Sequence, residues 1–115
     1  MQRFQAVASL LILSSFLVGG AALAGAQGSS GASIFKEKCV LCHGADGSAN
    51  TTLGKQLQAA NLRSKEVRKK TDAELSKIIH DGNGSMPPFS DQLSDDEISQ
   101  VVKYIRTLGK TAKKQ

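Results

Sequence analysis

Apolar residues are distributed along this chain in two regimes. From Phe4 to Val18 they dominate almost continuously, preceded by a single basic residue, Arg3, and followed by Gly19-Gly20 and the small-residue stretch Ala21-Ala22-Leu23-Ala24. A short basic start, an apolar core and an A-x-A site form the pattern of a secretory signal peptide. Residues 1–24 are read as that leader, with cleavage after Ala26 as the alternative. Ser14, Ser15, Gly19 and Gly20 interrupt the run and argue against a leader kept as a permanent anchor. No later run reaches the roughly 18 consecutive apolar residues of a membrane span, so no stable insertion is expected after cleavage.

Beyond a flexible polar lead-in at 25–30, apolar positions recur at helical spacing and never alternate as in a strand. Ser33 offers an N-cap for a short helix carrying Ile34, Phe35, Lys38 and Cys39. Gly44 to Asn50 is rich in Gly, Asp, Ser and Asn and reads as loop. Leu53, Leu57 and Leu62 share no clear period, and one short helix is expected around Gly54–Ala60. Thr71-Asp72-Ala73-Glu74 has the capping-box form, Leu75, Ile78 and Ile79 follow at helical spacing, and Asp81-Gly82 should end that helix. Asn83 to Gln92 contains both prolines and reads as an extended loop. Ser94-Asp95-Asp96-Glu97 is a second capping box. It opens a stripe of Ile98, Val101, Val102, Ile105 and Leu108, with Tyr104 beside it and Gly109 as the expected stop. The predicted fold is all-α, three or four short helices in one domain over 31–109, followed by a basic tail over 110–115.

Composition sharpens this picture. Outside the leader only Phe35, Phe89 and Tyr104 remain as aromatics, and there is no Trp. A domain this small has a thin core unless a disulfide, metal or cofactor fills it. The formal net charge of +5 falls by one with the loss of Arg3 and stays basic.

Both cysteines fall in Cys39-Val40-Leu41-Cys42-His43, the C-x-x-C-H signature of covalent haem attachment. Two thiols one helical turn apart can each add to a porphyrin vinyl group, and the adjacent imidazole reaches the iron from the same side. Three other uses of these residues fit less well. A thioredoxin-like redox pair expects a βαβ context, a zinc site lacks ligands because only His80 remains among Cys and His, and a Cys39–Cys42 disulfide would close a tiny loop. Outside the leader Met86 is the sole methionine, held in Gly84-Ser85-Met86-Pro87-Pro88 rather than on an apolar helix face. It is the candidate distal ligand, on the Met/His pattern of electron-transfer haems, against a reading as core filler. His80, at a helix C-terminus, is the rival ligand, with a surface histidine as its ordinary role.

With these motifs in place, residues 31–109 resemble a monohaem class I cytochrome c of the small bacterial type, similar to the c6 and c-551-like group. The resemblance implies one covalently bound haem c on Cys39 and Cys42, with His43 as proximal and Met86 as distal axial ligand. It also implies a crossing of the first and last helices in which Gly31, Phe35 and Cys39 meet Val101 and Tyr104. One departure is visible. Many such cytochromes orient the axial imidazole with a proline carbonyl, and no proline lies between His43 and Pro87. That carbonyl is therefore expected from the backbone near Asn50–Gly54.

The function implied is one-electron transfer by an exported carrier, not an enzyme. Leu53, Leu57, Leu62, Ile79, Phe89 and Ile98 are candidates for an apolar haem wall. Lys36, Lys38, Lys55, Arg63, Lys65, Arg68, Lys69 and Lys70 precede Met86, while Asp91, Asp95, Asp96 and Glu97 follow it. Such a surface suits transient docking to redox partners with acidic faces, or is simply solvated. Nucleic-acid binding is not expected, for want of stacking aromatics, and a monomer is. Three alternatives remain open: a haem subunit of a larger exported oxidoreductase, a sensor or peroxidase-like protein whose sixth ligand is displaced, and a thiol oxidoreductase.

Overall fold

The computed structural model of the protein describes residues 29–112. The expected leader, residues 25–28 of the lead-in and residues 113–115 of the tail lie outside the described residues. Six helices follow one another: α1 (Gly31–Lys38), α2 (Val40–His43), α3 (Thr52–Gln56), α4 (Lys65–Lys69), α5 (Asp72–Asp81) and α6 (Asp95–Ala112). Among the described residues the β contribution is one isolated bridge, Asn83 to Met86. The class is all-α as expected. The helix count exceeds three or four because two single-turn helices, α2 and α4, stand as separate elements.

Local signals explain most boundaries. Ser30, not Ser33, caps α1: its backbone is extended and its hydroxyl accepts from Ser33 N–H at 3.3 Å. The helix thus starts at Gly31, one turn earlier than the sequence suggests. Thr51 caps α3 by accepting from Gly54 N–H at 2.8 Å, which moves that helix forward from the expected 54–60. Ser64 caps α4, a helix the pattern hides because Lys65-Glu66-Val67-Arg68-Lys69 carries one apolar residue. Thr71 and Glu74 close the reciprocal capping box of α5 as predicted, and Gly82 ends it. The helix α6 runs through the expected stop at Gly109 to Ala112. Gly109 serves packing there: a Cβ would lie 3.0 and 3.1 Å from the Cδ and Cγ of Arg68, whose stem crosses it.

The core joins Ile34 and Phe35 of α1, Leu75 and Ile79 of α5, and Ile98, Val101, Val102 and Ile105 of α6, with Leu62, Val67, Phe89 and Leu93 between them. Each side chain of this size contributes about 1.5–3 kcal/mol on leaving water, so these dozen outweigh any surface ion pair. The helix α1 crosses α6 at Gly31, where a Cβ would stand 2.1 Å from the carbonyl oxygen of Gln100. One turn on, the rings of Phe35 and Tyr104 meet with centroids 5.1 Å apart, tilted by 56°. This is the crossing the resemblance implied.

Arg106 ties three elements together. Its guanidinium donates to Asp72 Oδ1 at 2.9 Å and to the carbonyls of Arg68 and Lys70. Those carbonyls end α4 and would otherwise lack partners.

One position carries avoidable strain. Gln58, just past the C-cap of α3, has φ +54, the left-handed conformation usually given to Gly at helix ends. Gln58→Gly is expected to raise stability by about 1 kcal/mol, because the left-handed cost of a side chain disappears. Chemical denaturation checks it, and an unchanged or lower midpoint would refute it.

Candidate functional site

The C-x-x-C-H segment is built as a sharp continuation of the first helix. Cys39 N–H still bonds to Phe35 O at 2.9 Å, but the backbone then opens to φ −116 and restarts as α2. Within that turn Cys42 and His43 N–H both reach Cys39 O, at 3.3 and 2.9 Å. The two thiols therefore sit on one helical turn, both half-buried and not joined to each other. Leu41 between them is 72% exposed, which places this turn at the molecular surface. Burial, reinforced by Cys42, pushes the Cys39 thiol up to about 11. Thiol–disulfide chemistry needs the thiolate, so this environment counts against an oxidoreductase built on the pair.

His43 is buried, and its Nδ1 lies 2.9 Å from the carbonyl oxygen of Ala60. A carbonyl only accepts, so Nδ1 carries the ring proton and Nε2 keeps its lone pair. That is the tautomer a metal-binding imidazole requires. The orienting carbonyl is Ala60, which corrects the expectation of Asn50–Gly54. The reason is local: residues 52–56 wind into α3, where Thr51 O and Leu53 O accept from Lys55 and Leu57 N–H. The carbonyl that remains for the imidazole comes after that helix.

Met86 sits in a loop held by its own backbone. It exchanges two hydrogen bonds of 3.0 Å with Asn83 across a two-residue turn, and Pro87 and Pro88 follow. The loop then returns along the end of α5 through Phe89 N–H to Ile79 O at 3.0 Å and Ser90 N–H to His80 O at 3.2 Å. Its side chain is half-buried against the core cluster, as is Cys39. His80 is placed differently. Its side chain is 47% exposed, and Nδ1 pairs with Asp81 Oδ1 at 2.6 Å. Lys77 and His80 together hold the Asp81 carboxyl below the usual carboxylate range.

Of the wall candidates, Leu62, Ile79, Phe89 and Ile98 are buried, Leu53 is half-buried and Leu57 is 39% exposed. Three groups of this site escape a reading by residue type and period. The Ala60 oxygen belongs to the main chain and leaves no trace in residue type. The Thr51 hydroxyl donates to Leu41 O at 2.9 Å and Cys42 O at 3.1 Å. At Gly54 a Cβ would stand 2.2 Å from Cys42 O, so α3 presses directly on the end of α2. A Thr just before a helix and a Gly inside it were the available signals.

This donor set fits haem c. Two thiols one turn apart adjoin an imidazole fixed as the Nε2 donor. Among the described residues no group of three or more His, Cys, Asp or Glu side chains could hold a metal ion instead.

Known proteins agree with the geometry. A family profile described as "Cytochrome C oxidase, cbb3-type, subunit III" matches residues 26–105. The chain is similar to cytochrome c6 of Picosynechococcus sp., 31% identical over 110 residues, covering 91% of this chain and 92% of that protein. It is 34% identical over 87 residues to the cbb3-type cytochrome c oxidase subunit FixP of a Bradyrhizobium species, covering 74% of this chain and 29% of that protein. Among solved structures, the c-type cytochrome KustC0563 superposes with a TM-score of 0.64 at 29% identity, over 70% of this chain and 98% of that one. Matched by this family over most of its length and similar throughout to cytochrome c6, the chain belongs to the small class I c-type cytochromes, electron-transfer proteins that carry covalently bound haem c.

Proposed function

We propose that this cytochrome is an exported one-electron shuttle, with Cys39 and Cys42 forming the thioether links and His43 Nε2 and Met86 Sδ the axial donors. The observation that carries the ligation is the His43–Ala60 hydrogen bond, which leaves Nε2 as the free nitrogen of a buried ring. When bound, haem supplies a single-electron couple between Fe(II) and Fe(III). The residues set how that couple behaves. The Ala60 carbonyl holds the imidazole in one tautomer, so oxidation requires no proton movement at His43. The thioether of Met86 favours the reduced state and raises the potential relative to a second imidazole. With His43 and Met86 both holding the group, O₂ binding would be disfavoured. His80, exposed and engaged with Asp81, is a surface residue in this reading.

Lys36, Lys38, Lys55 and the α4 lysines provide the charge for salt-sensitive docking to an acidic redox partner. Among the described residues no helix is long and apolar enough to cross a membrane. Export rests on the leader pattern of residues 1–24.

The test is an absorption spectrum of protein matured in a host with periplasmic c-type haem machinery. The oxidised wild type should show a far-red sulfur-to-iron band that Met86→Ala removes. Haem should resist acid extraction in the wild type and lose one covalent link in each of Cys39→Ala and Cys42→Ala. A wild type without the far-red band would end the His/Met assignment.

The similarity to FixP and to the cbb3-type family favours a second reading, a haem subunit docked on a larger oxidoreductase. Copurification with a large partner that survives high salt would select it over the shuttle.

A further inference from the structure

The imidazole of His43 is fixed at its ring by Ala60, but a ring is only as steady as the backbone that carries it. That backbone ends a single-turn helix. A turn this short satisfies almost none of its own terminal carbonyls. At the end of α2 the carbonyls of Leu41 and Cys42 are met by one side chain, Thr51, whose hydroxyl oxygen lies 2.9 and 3.1 Å from them and donates its one proton toward the pair. The same oxygen accepts from Gly54 N–H at 2.8 Å. Thr51 is thus both the N-cap of α3 and the cover for the open end of α2. A second contact reinforces the join. Gly54 brings its backbone so close to Cys42 O that a Cβ would stand at 2.2 Å, and Ala49 N–H bonds to His43 O at 2.7 Å. The carbonyls of Leu41, Cys42 and His43 are therefore all met from residues 49–54, while that of Val40 is met by Gly44 N–H.

We propose that Thr51 is a positioning residue for the proximal imidazole, locking the backbone of residues 41–43 so that the His43 ring stays on the Ala60 carbonyl. This rests on the reading of His43 as the proximal ligand. Its hydroxyl is the only side-chain group among the described hydrogen bonds that reaches the carbonyls of the Cys39–His43 segment. Loss of the hydroxyl removes the protein donor from the exposed Leu41 carbonyl and the part-buried Cys42 carbonyl and frees the N-terminus of α3. The ring then samples orientations in which its hydrogen bond is broken.

The experiment compares holoprotein of the wild type, Thr51→Val and Thr51→Ser by proton NMR in the reduced, diamagnetic state. There the imidazole protons of an iron-bound histidine are shifted far upfield by the porphyrin ring current. The exchange rate of the His43 Nδ1 proton is measured against that of core amides in α6, such as Val102, which report opening of the whole fold. Thr51→Val, which keeps the shape and removes the hydroxyl, should speed exchange at Nδ1 about tenfold relative to the core amides, a loss on the scale of one to two hydrogen bonds. Thr51→Ser should restore protection. Should the valine variant fail to mature, Thr51→Ala gives the same comparison. Equal changes at Nδ1 and in α6 would make Thr51 a general stabiliser and overturn the proposal. A wild type with no ring-current-shifted imidazole would instead overturn the assignment of His43, and the role of Thr51 with it.

Discussion

Met86→His should lower the reduction potential by a few tenths of a volt, a substantial part of the span of about 0.8 V that axial ligands cover in haem proteins. The cause is the donor atom. A thioether is a soft, weak donor that favours Fe(II), whereas a second imidazole favours Fe(III). The site suits the exchange because Met86 is held by its main chain. The paired bonds to Asn83 and the following prolines keep residue 86 in place whatever its side chain. Spectroelectrochemical titration of the two proteins reads the shift directly, with loss of the far-red band as a companion signal. A potential that does not move would show that residue 86 is not bound to the iron.

Gly31→Ala should strongly destabilise the fold. In an isolated helix the same substitution is favourable by about 1 kcal/mol. Here the new methyl would sit 2.1 Å from the Gln100 oxygen and 2.5 Å from its carbon, both backbone atoms inside α6. Neither can rotate away, so α1 must lift off α6 and loosen the contacts of Ile34 and Phe35, both almost wholly buried. Overpacking of this kind costs about 3 kcal/mol or more. In a domain of this size that lowers Tm by roughly 12–24 °C. Thermal unfolding followed by circular dichroism decides between the two signs, and a Tm equal to or above the wild type would refute the steric account.

Much of this molecule was legible from residue order because its longest elements carry strong local signals. The box at Thr71 and Glu74, the stop at Gly82 and the apolar stripe of α6 all lie within a few residues of the structure they specify. The chemistry of the C-x-x-C-H turn was legible for the same reason. What escaped was set by contacts distant in sequence. The single turn of α4 is held by a cap at Ser64 and by Arg106, thirty-six residues beyond Lys70. At Gly109, where α6 runs on instead of stopping, the stem of Arg68, distant in sequence, lies against the missing side chain. The imidazole's partner is not found among Asn50–Gly54 because Thr52–Gln56 wind into α3, capped by Thr51, and the oxygen comes from Ala60.

The choice of that oxygen also bears on how the protein can vary over time. A side chain that orients a ligand is exposed to every mutation of its codon, but the Ala60 oxygen belongs to the peptide unit and survives any of them that spares the chain's path. The side chain of Ala60 faces solvent and is free to drift. The setting of the imidazole is thus inherited through the course of the polypeptide rather than through the identity of one amino acid, which makes this centre mutationally robust at the atom it can least do without.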